Sequence, residues 1–302
     1  MTSQRARSAF DEWPTLLVVA GVYVGFWFST TILAETSVLV GIFCTAIVIA
    51  QFSSLQHEVL HGHPFRNQRL NEALVFPSLT MFIPYQRFRD THLAHHHDEI
   101  LTDPYDDPES NYLDPEVWIR LPTLVRAVLQ LNNTLGGRIL FGPLVSMVTF
   151  LRGDWTEIRA GNRQVRTAWQ WHIVSVALVL CWLQLAGSLP FWAYFIAAYF
   201  GFGLLKIRTF LEHRAHDRAS GRTVVIDDRG PLAFLFLNNN LHVVHHMHPT
   251  AAWYRLPGLF HQDEDRYLTR NGGYAFANYA EIFRKYFFSA KDPVPHPIWR
   301  KK

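Results

Sequence analysis

The chain has 302 residues, of which 49% are hydrophobic, 18% charged and 15% aromatic, with a formal net charge of +3. That balance excludes a disordered chain and a coiled coil, two cysteines are too few for a disulfide scaffold, and no basic run interleaved with aromatics points to a nucleic-acid partner. The charged fraction is below the roughly 25% usual in soluble domains, and the 16 histidines stand out.

No charge interrupts Trp13–Ala34, and after Glu35 the next charge-free run is Thr36–Gln56. A transmembrane helix needs about 20 apolar residues, so these runs predict spans near 14–34 and 37–56 with a tight turn at Glu35. A cleaved signal peptide is not expected, because the first run is long and the second follows at once. Two further apolar stretches, 73–86 and 139–151, are short and carry Pro77, Pro84 and Pro143. They read as interfacial or re-entrant helices, with six full spans as the less favoured alternative. The acidic loop Leu101–Pro115 is rich in turn residues and belongs outside the bilayer. Thr167–Leu205 is again free of charge. As one helix it would reach roughly 58 Å, about twice the hydrocarbon thickness. Gly187-Ser188-Leu189-Pro190 breaks it into spans near 167–187 and 190–210.

The turns near 35 and 188 hold no Lys or Arg, whereas all 28 basic residues fall in the N-terminal tail, the 57–166 connection and the C-terminal third. The positive-inside rule puts that side, with both termini, in the cytoplasm. The predicted fold is an all-α integral membrane protein. It forms one domain over 1–302, with four transmembrane helices in two hairpins and a cytoplasmic helical cap from 57–166 and 211–302. Cys44 and Cys181 lie inside predicted spans, so no disulfide is expected.

Thirteen of the histidines fall in four clusters: His57-Glu-Val-Leu-His61-Gly-His63, His92-Leu-Ala-His95-His96-His97, Glu212-His213-Arg-Ala-His216 and His242-Val-Val-His245-His246-Met-His248. Residues three or four apart share a helix face, so His57 and His61 project together, as do His92, His95 and His96, and His242, His245 and His246. His57 directly follows the second predicted span and His213 the fourth, which puts both at one membrane boundary. Neutral imidazole suits iron, copper, zinc and nickel, and eight or nine imidazoles are more than one ion uses. The spacing therefore points to a two-metal site.

At these residues the chain resembles the membrane fatty acid desaturase superfamily, whose pattern is HxxxH, HxxHH and HxxHH. The match runs from the first span to about residue 260. The resemblance implies two non-haem irons held by His57, His61, His92, His95, His96, His213, His242, His245 and His246, and leaves their division between the irons open. It implies O2-dependent removal of hydrogen from an unactivated C–H bond, most simply desaturation of a fatty acid or lipid acyl chain. Hydroxylation or ketonisation of a lipid, carotenoid or small amphiphile is the alternative, since the His246-Met-His248-Pro249 segment is also similar to carotenoid ketolases. Electrons are expected from a separate ferredoxin or cytochrome b5 and its reductase, because nothing here resembles the HPGG haem site of a fused cytochrome b5. A zinc or nickel transporter would need ligands within its spans, where only His172 lies.

Carboxylates commonly accept the second N–H of a metal-bound imidazole, and Glu58, Asp90, Asp98 and Glu212 adjoin the clusters. Asn238-Asn239-Asn240 reads more simply as a helix cap than as a water ligand. His63, His97, His216 and His248 are surplus to the pattern, His172 reads as packing, and His261 and His296 as surface residues. Arg152, Arg159, Arg163 and Arg166 recur as one helix face. They read as ordinary positive-inside charge rather than a dock for an acidic ferredoxin or an anionic headgroup.

Overall fold

The computed structural model describes residues 12–300. The N-terminal tail and the last two lysines, which the charge argument placed in the cytoplasm, lie outside the described residues. In chain order the helices are α1 (Trp13–Thr30), α2 (Ile32–Thr36), α3 (Val38–Leu60), α4 (Gln68–Leu74), α5 (Tyr85–His95), α6 (Pro115–Arg120), α7 (Thr123–Asn132), α8 (Leu135–Arg159), α9 (Arg163–Leu185) and α10 (Phe191–Thr209). After strand β1 (Val225–Ile226) come α11 (Pro231–Leu235), α12 (His242–Met247), α13 (Leu256–Gln262), α14 (Glu264–Arg270), strand β2 (Ala275–Phe276) and α15 (Tyr279–Tyr286). The two strands pair in parallel, Val225 opposite Ala275.

Among the described residues four helical segments are long and apolar enough to cross a membrane: Trp13–Thr36, Val38–Leu60, Leu135–Arg159 and Arg163–Leu185. Three match the expected spans; the fourth is α8, where a short interrupted stretch was expected. Pro143 does not break α8. Proline cannot donate to the carbonyl four residues back, which is that of Ile139. Instead α10 passes closely there, because a side chain on Gly203 would come within 2.7 Å of that oxygen, and the Tyr199 hydroxyl donates to the next carbonyl, that of Leu140. Helix α10, expected as a span, is outside the set. Tyr194, Tyr199, the two glycines and the cations Lys206 and Arg208 dilute its apolar character.

The stretch 73–86 is not one helix: its ends belong to α4 and α5 and the residues between are irregular. Its irregular part is buried at Val75, Leu79 and Met81. Its carbonyls find partners in neighbouring helices: Tyr194 Oη donates to Leu79 O (2.7 Å) and His172 Nε2 to Met81 O (2.9 Å). Buried non-helical backbone is stable only when its polar groups find partners in this way.

The turn regions near 35 and 188 meet. Ser188 donates its hydroxyl to Glu35 (2.9 Å) and its amide to Thr30 O. From that end α3 and α10 run side by side in the same direction, α10 packing mainly on α3 and α8 rather than on α9. Their backbones approach at Gly201, where a Cβ would meet Ala46 O at 2.9 Å. From Val38 to His57 is about 29 Å of helix, so the distal ends of α3 and α10 deliver His57, His61 and His213 together. Cys44 and Cys181 are free.

Candidate metal centre

The nine histidines of the pattern gather into two groups. His57, His61, His92, His96 and His245 form a five, and His95, His213, His242 and His246 a four; within each, one ring nitrogen per residue lies within 4.8 Å of all the others. The three-residue and four-residue spacings do not share one point, as the face argument had it; they diverge. At 3.6 residues per turn, positions i and i+4 differ by about 40° while i+3 lies about 60° the other way. On α5, His92 and His96 therefore face the five and His95 the four. On α12 the roles are exchanged, since His242 and His246 join the four and His245 the five. Each HxxHH cluster thus serves both groups, and the His96 and His246 rings stack between them at 4.4 Å.

The rings converge with their outer nitrogens. His95 Nε2 is 2.8 Å from His213 Nε2, which is 3.0 Å from His242 Nε2; His96 Nε2 is 3.0 Å from His92 Nε2 and 3.1 Å from His245 Nε2. His57, His61 and His246 present buried Nε2 atoms that have no hydrogen-bond partner among the described residues. Bonds of about 2.1 Å meeting near a right angle separate two donor nitrogens by about 3.0 Å, so the spacing fits nitrogens gathered round a cation. Burial holds His213, His242 and His245 well below the usual imidazole range, which leaves them as the neutral donors a metal requires. The residues present fit two metal ions.

The opposite nitrogens are anchored. His95 Nδ1 bonds Asp107 Oδ1 (2.7 Å), His92 Nδ1 bonds Glu109 Oε1 (3.0 Å), and His246 Nδ1 faces Asp98 Oδ1 (3.3 Å). His242 Nδ1 faces Asn239 Oδ1 (3.3 Å), whose amide donates to Glu212 Oε1 (3.1 Å). Such bonds fix the tautomer with Nε2 free for the metal. Burial alone would lower His95, but Glu109 and Asp107 outweigh it and raise it to about 9. Burial likewise opposes the charge of Glu109, and His92 and His95 nonetheless hold it well below the usual carboxylate range.

Of the four carboxylates singled out in sequence, Asp98 touches a ring directly and Glu212 acts through Asn239. Glu58 accepts from the Trp253 amide (3.1 Å) and lies 3.9 Å from His63 Nδ1. Asp90 turns to Arg89 and Gln164. The sequence reading missed Asp107 and Glu109, which lie in the acidic loop 101–115. Their nearness to the second histidine cluster was the available signal, but not the fold of the loop back over α5. The capping reading of the asparagines is also corrected: the N-cap of α12 is Leu241, Asn239 bridges His242 and Glu212, and Asn240 donates to Ile226 O.

The surplus histidines stay outside the two groups. His63 is buried against Glu12 and Thr250 O, His248 bonds Tyr267 Oη, His216 bonds the Arg218 backbone, and His97 is exposed. His261 is exposed as expected, whereas His296, expected at the surface, is buried, 3.2 Å from the Thr102 hydroxyl and edge-on to Tyr112. Arg152, Arg159, Arg163 and Arg166 are exposed, but they do not share one helix, because the chain turns at Gly161 between α8 and α9.

A family model described as fatty acid desaturase matches residues 33–277, a stretch that contains all nine histidines. No curated protein matches the chain.

Proposed function

This chain belongs to the fatty acid desaturase family, and we propose that it is an O2-dependent di-iron membrane oxidase that inserts a double bond into a lipid acyl chain. The observation that carries the reading is the division of nine inward-facing imidazoles into a five and a four, a donor set suited to two ions of the iron type. His57, His61, His92, His96 and His245 would hold one iron, and His95, His213, His242 and His246 the other. Bound there, the iron pair would supply O2 reduction and hydrogen removal from an unactivated C–H bond.

The chain's own residues do the rest. Asp107, Glu109, Asp98 and Asn239 keep each partnered imidazole in the tautomer that offers Nε2. Burial of His57, His92, His95, His242 and His245 excludes water from the reacting centre. The site lies at the ends of helices whose apolar lengths face lipid, on the side where the described Lys and Arg concentrate. That supports a cytoplasmic site at the depth where an acyl chain leaves the bilayer. Removing two hydrogens gives two of the four electrons that reduce O2 to two waters. The other two electrons come, one at a time, from a separate carrier of the ferredoxin or cytochrome b5 kind, itself reduced by a reductase, and two protons come from the surrounding water.

Mass spectrometry of lipids from cells expressing the wild type or His245→Ala tests the reading. Products lacking two hydrogens, made by the wild type alone, are expected. Products gaining one oxygen would establish a hydroxylase or ketolase instead, and identical lipids in both strains would overturn the oxidase reading.

A further inference from the structure

Helix α8 is long and apolar enough to cross a membrane, yet both of its ends are tied to the metal side of the molecule. In its first turn the Gly136 amide donates to Phe287 O (3.0 Å), four residues before the Lys291 that donates to His213 O. Near its other end Asp154 accepts from Arg87 Nη2 (2.9 Å) and from the Trp169 indole (2.8 Å). Arg87 lies on α5, five residues before His92. A crossing helix would bring one end to the level of the Glu35–Ser188 contact, about 30 Å from the imidazoles. The crossing is made instead by α10, which starts beside Ser188 and leads to His213. Ile139 of α8 lies at Gly203 and Ser146 at Lys206, so seven residues of α8 pass three of α10 and the two axes cross steeply.

The outward side of α8 is apolar. Leu140, Phe141, Leu144, Val148, Leu151 and Trp155 are exposed. At 100° per residue they fall within one 100° sector, about 22 Å long. Gly142 and Ser146 lie opposite, against Lys206 of α10. Arg152 and Arg159 border the stripe, and Arg163 and Arg166 follow in the first turn of α9; all four are exposed. Of the carboxylates nearby, Asp154 is buried against Arg87, Glu72 and Asp90 both hold Arg89, and Glu157 takes the Asn162 amide. The four guanidinium groups thus outnumber the carboxylates left for them. Trp155 and Trp171, exposed on either side of the Asp154–Trp169 bond, are of the type that favours a membrane–water boundary.

We propose that α8 lies along the membrane, in the leaflet beside the metal centre, with its apolar stripe in the acyl layer and Arg152, Arg159, Arg163 and Arg166 holding the phosphates of anionic phospholipids. This goes beyond the oxidase reading and does not depend on what the metals do. A helix with an apolar face and a basic border binds an interface in this way. Each basic side chain near an anionic surface contributes at most about a five-fold preference, screened by salt. The stripe ends beside α9, whose exposed Trp171, Ile173 and Val174 begin the lipid-facing length of a span. A second copy of the chain is a poorer occupant, because a twofold contact would set the arginines against their own counterparts.

Spin labels test the placement. In the full chain carrying Cys44→Ala and Cys181→Ala, in nanodiscs, L140C, L144C, V148C and L151C are labelled one at a time, and collision with oxygen and with a nickel chelate gives each depth. All four labels are expected in the acyl layer of one leaflet, none at the bilayer centre. A Val148 label at the centre with the Leu140 label about 12 Å shallower overturns the proposal. So do labels that the nickel chelate reaches as freely as in water, and labels that a second chain shields from both reagents. Spin-labelled phosphatidylglycerol and phosphatidylcholine, compared on the wild type and on R152Q/R159Q, test the headgroups. A preference for phosphatidylglycerol that weakens with salt is expected, lowered about five-fold by the variant at unchanged metal content. No preference in the wild type, or one that the variant leaves unchanged, overturns the proposal.

Discussion

Asp107 acts at two points: one oxygen takes His95 Nδ1 and the Glu109 amide, and the other takes the Thr102 amide. It therefore orients a ligand ring and shapes the loop that brings Glu109 to His92. Removing partners of this kind costs about 10–100-fold in metal affinity, so Asp107→Ala is expected to lower iron retention by that order in chelator competition, and Asp107→Asn to restore part of it. The same carboxylates raise His95 to about 9 in the metal-free chain. At neutral pH a metal must then displace a proton from it, and affinity falls as pH falls. About a ten-fold loss per pH unit below 9 is expected for that one proton, measurable by competition at pH 8 and pH 7. The spacing of His57, His61, His92, His95, His96, His242, His245 and His246 was legible in the sequence because helix periodicity is local. The 40° and 60° offsets also part His95 from His92 and His96, and His245 from His242 and His246, but which of these join, and where His213 goes, is decided by tertiary packing. Asp107 and Glu109 were not legible, because their role depends on how a turn-rich loop folds over α5.

Close approach decides the helix arrangement. Gly201 lets α10 lie against Ala46 and Ile49 of α3, and His57 lies in the last turn of α3 while His213 follows the end of α10. Gly201→Leu would force them apart, at a cost of about 1–3 kcal/mol of overpacking, with lower metal occupancy as the second readout. Gly153 in α8 has open space around it, so Gly153→Ala is expected to be neutral or to stabilise by about 0.5–1 kcal/mol; thermal unfolding in detergent compares the two. Hydropathy runs located α1, α3 and α9, since long charge-free segments report directly on apolar surroundings. They made α8 too short, because Pro143 reads as a breaker in sequence. Its loss is tolerated where Gly203 brings α10 close to the freed Ile139 carbonyl, a contact made by residues 60 positions away.

Across the whole molecule, the Glu35–Ser188 contact closes one end and the nine imidazoles occupy the other. The C-terminal third joins the two parts: β1 pairs with β2, Lys291 donates to His213 O (2.7 Å), and α12 brings imidazoles to both groups. Bound metal should therefore stabilise the entire chain. Protein stripped by a chelator is expected to unfold at a lower temperature than loaded protein, by an amount that rises with metal concentration, and His95→Ala to show a smaller difference. The metal count per chain tests the central claim most directly. Protein purified from iron-replete cells is predicted to carry two irons per chain, His242→Ala and His245→Ala each losing iron. One metal or none per wild-type chain, or zinc alone with no O2 consumption, would contradict the account.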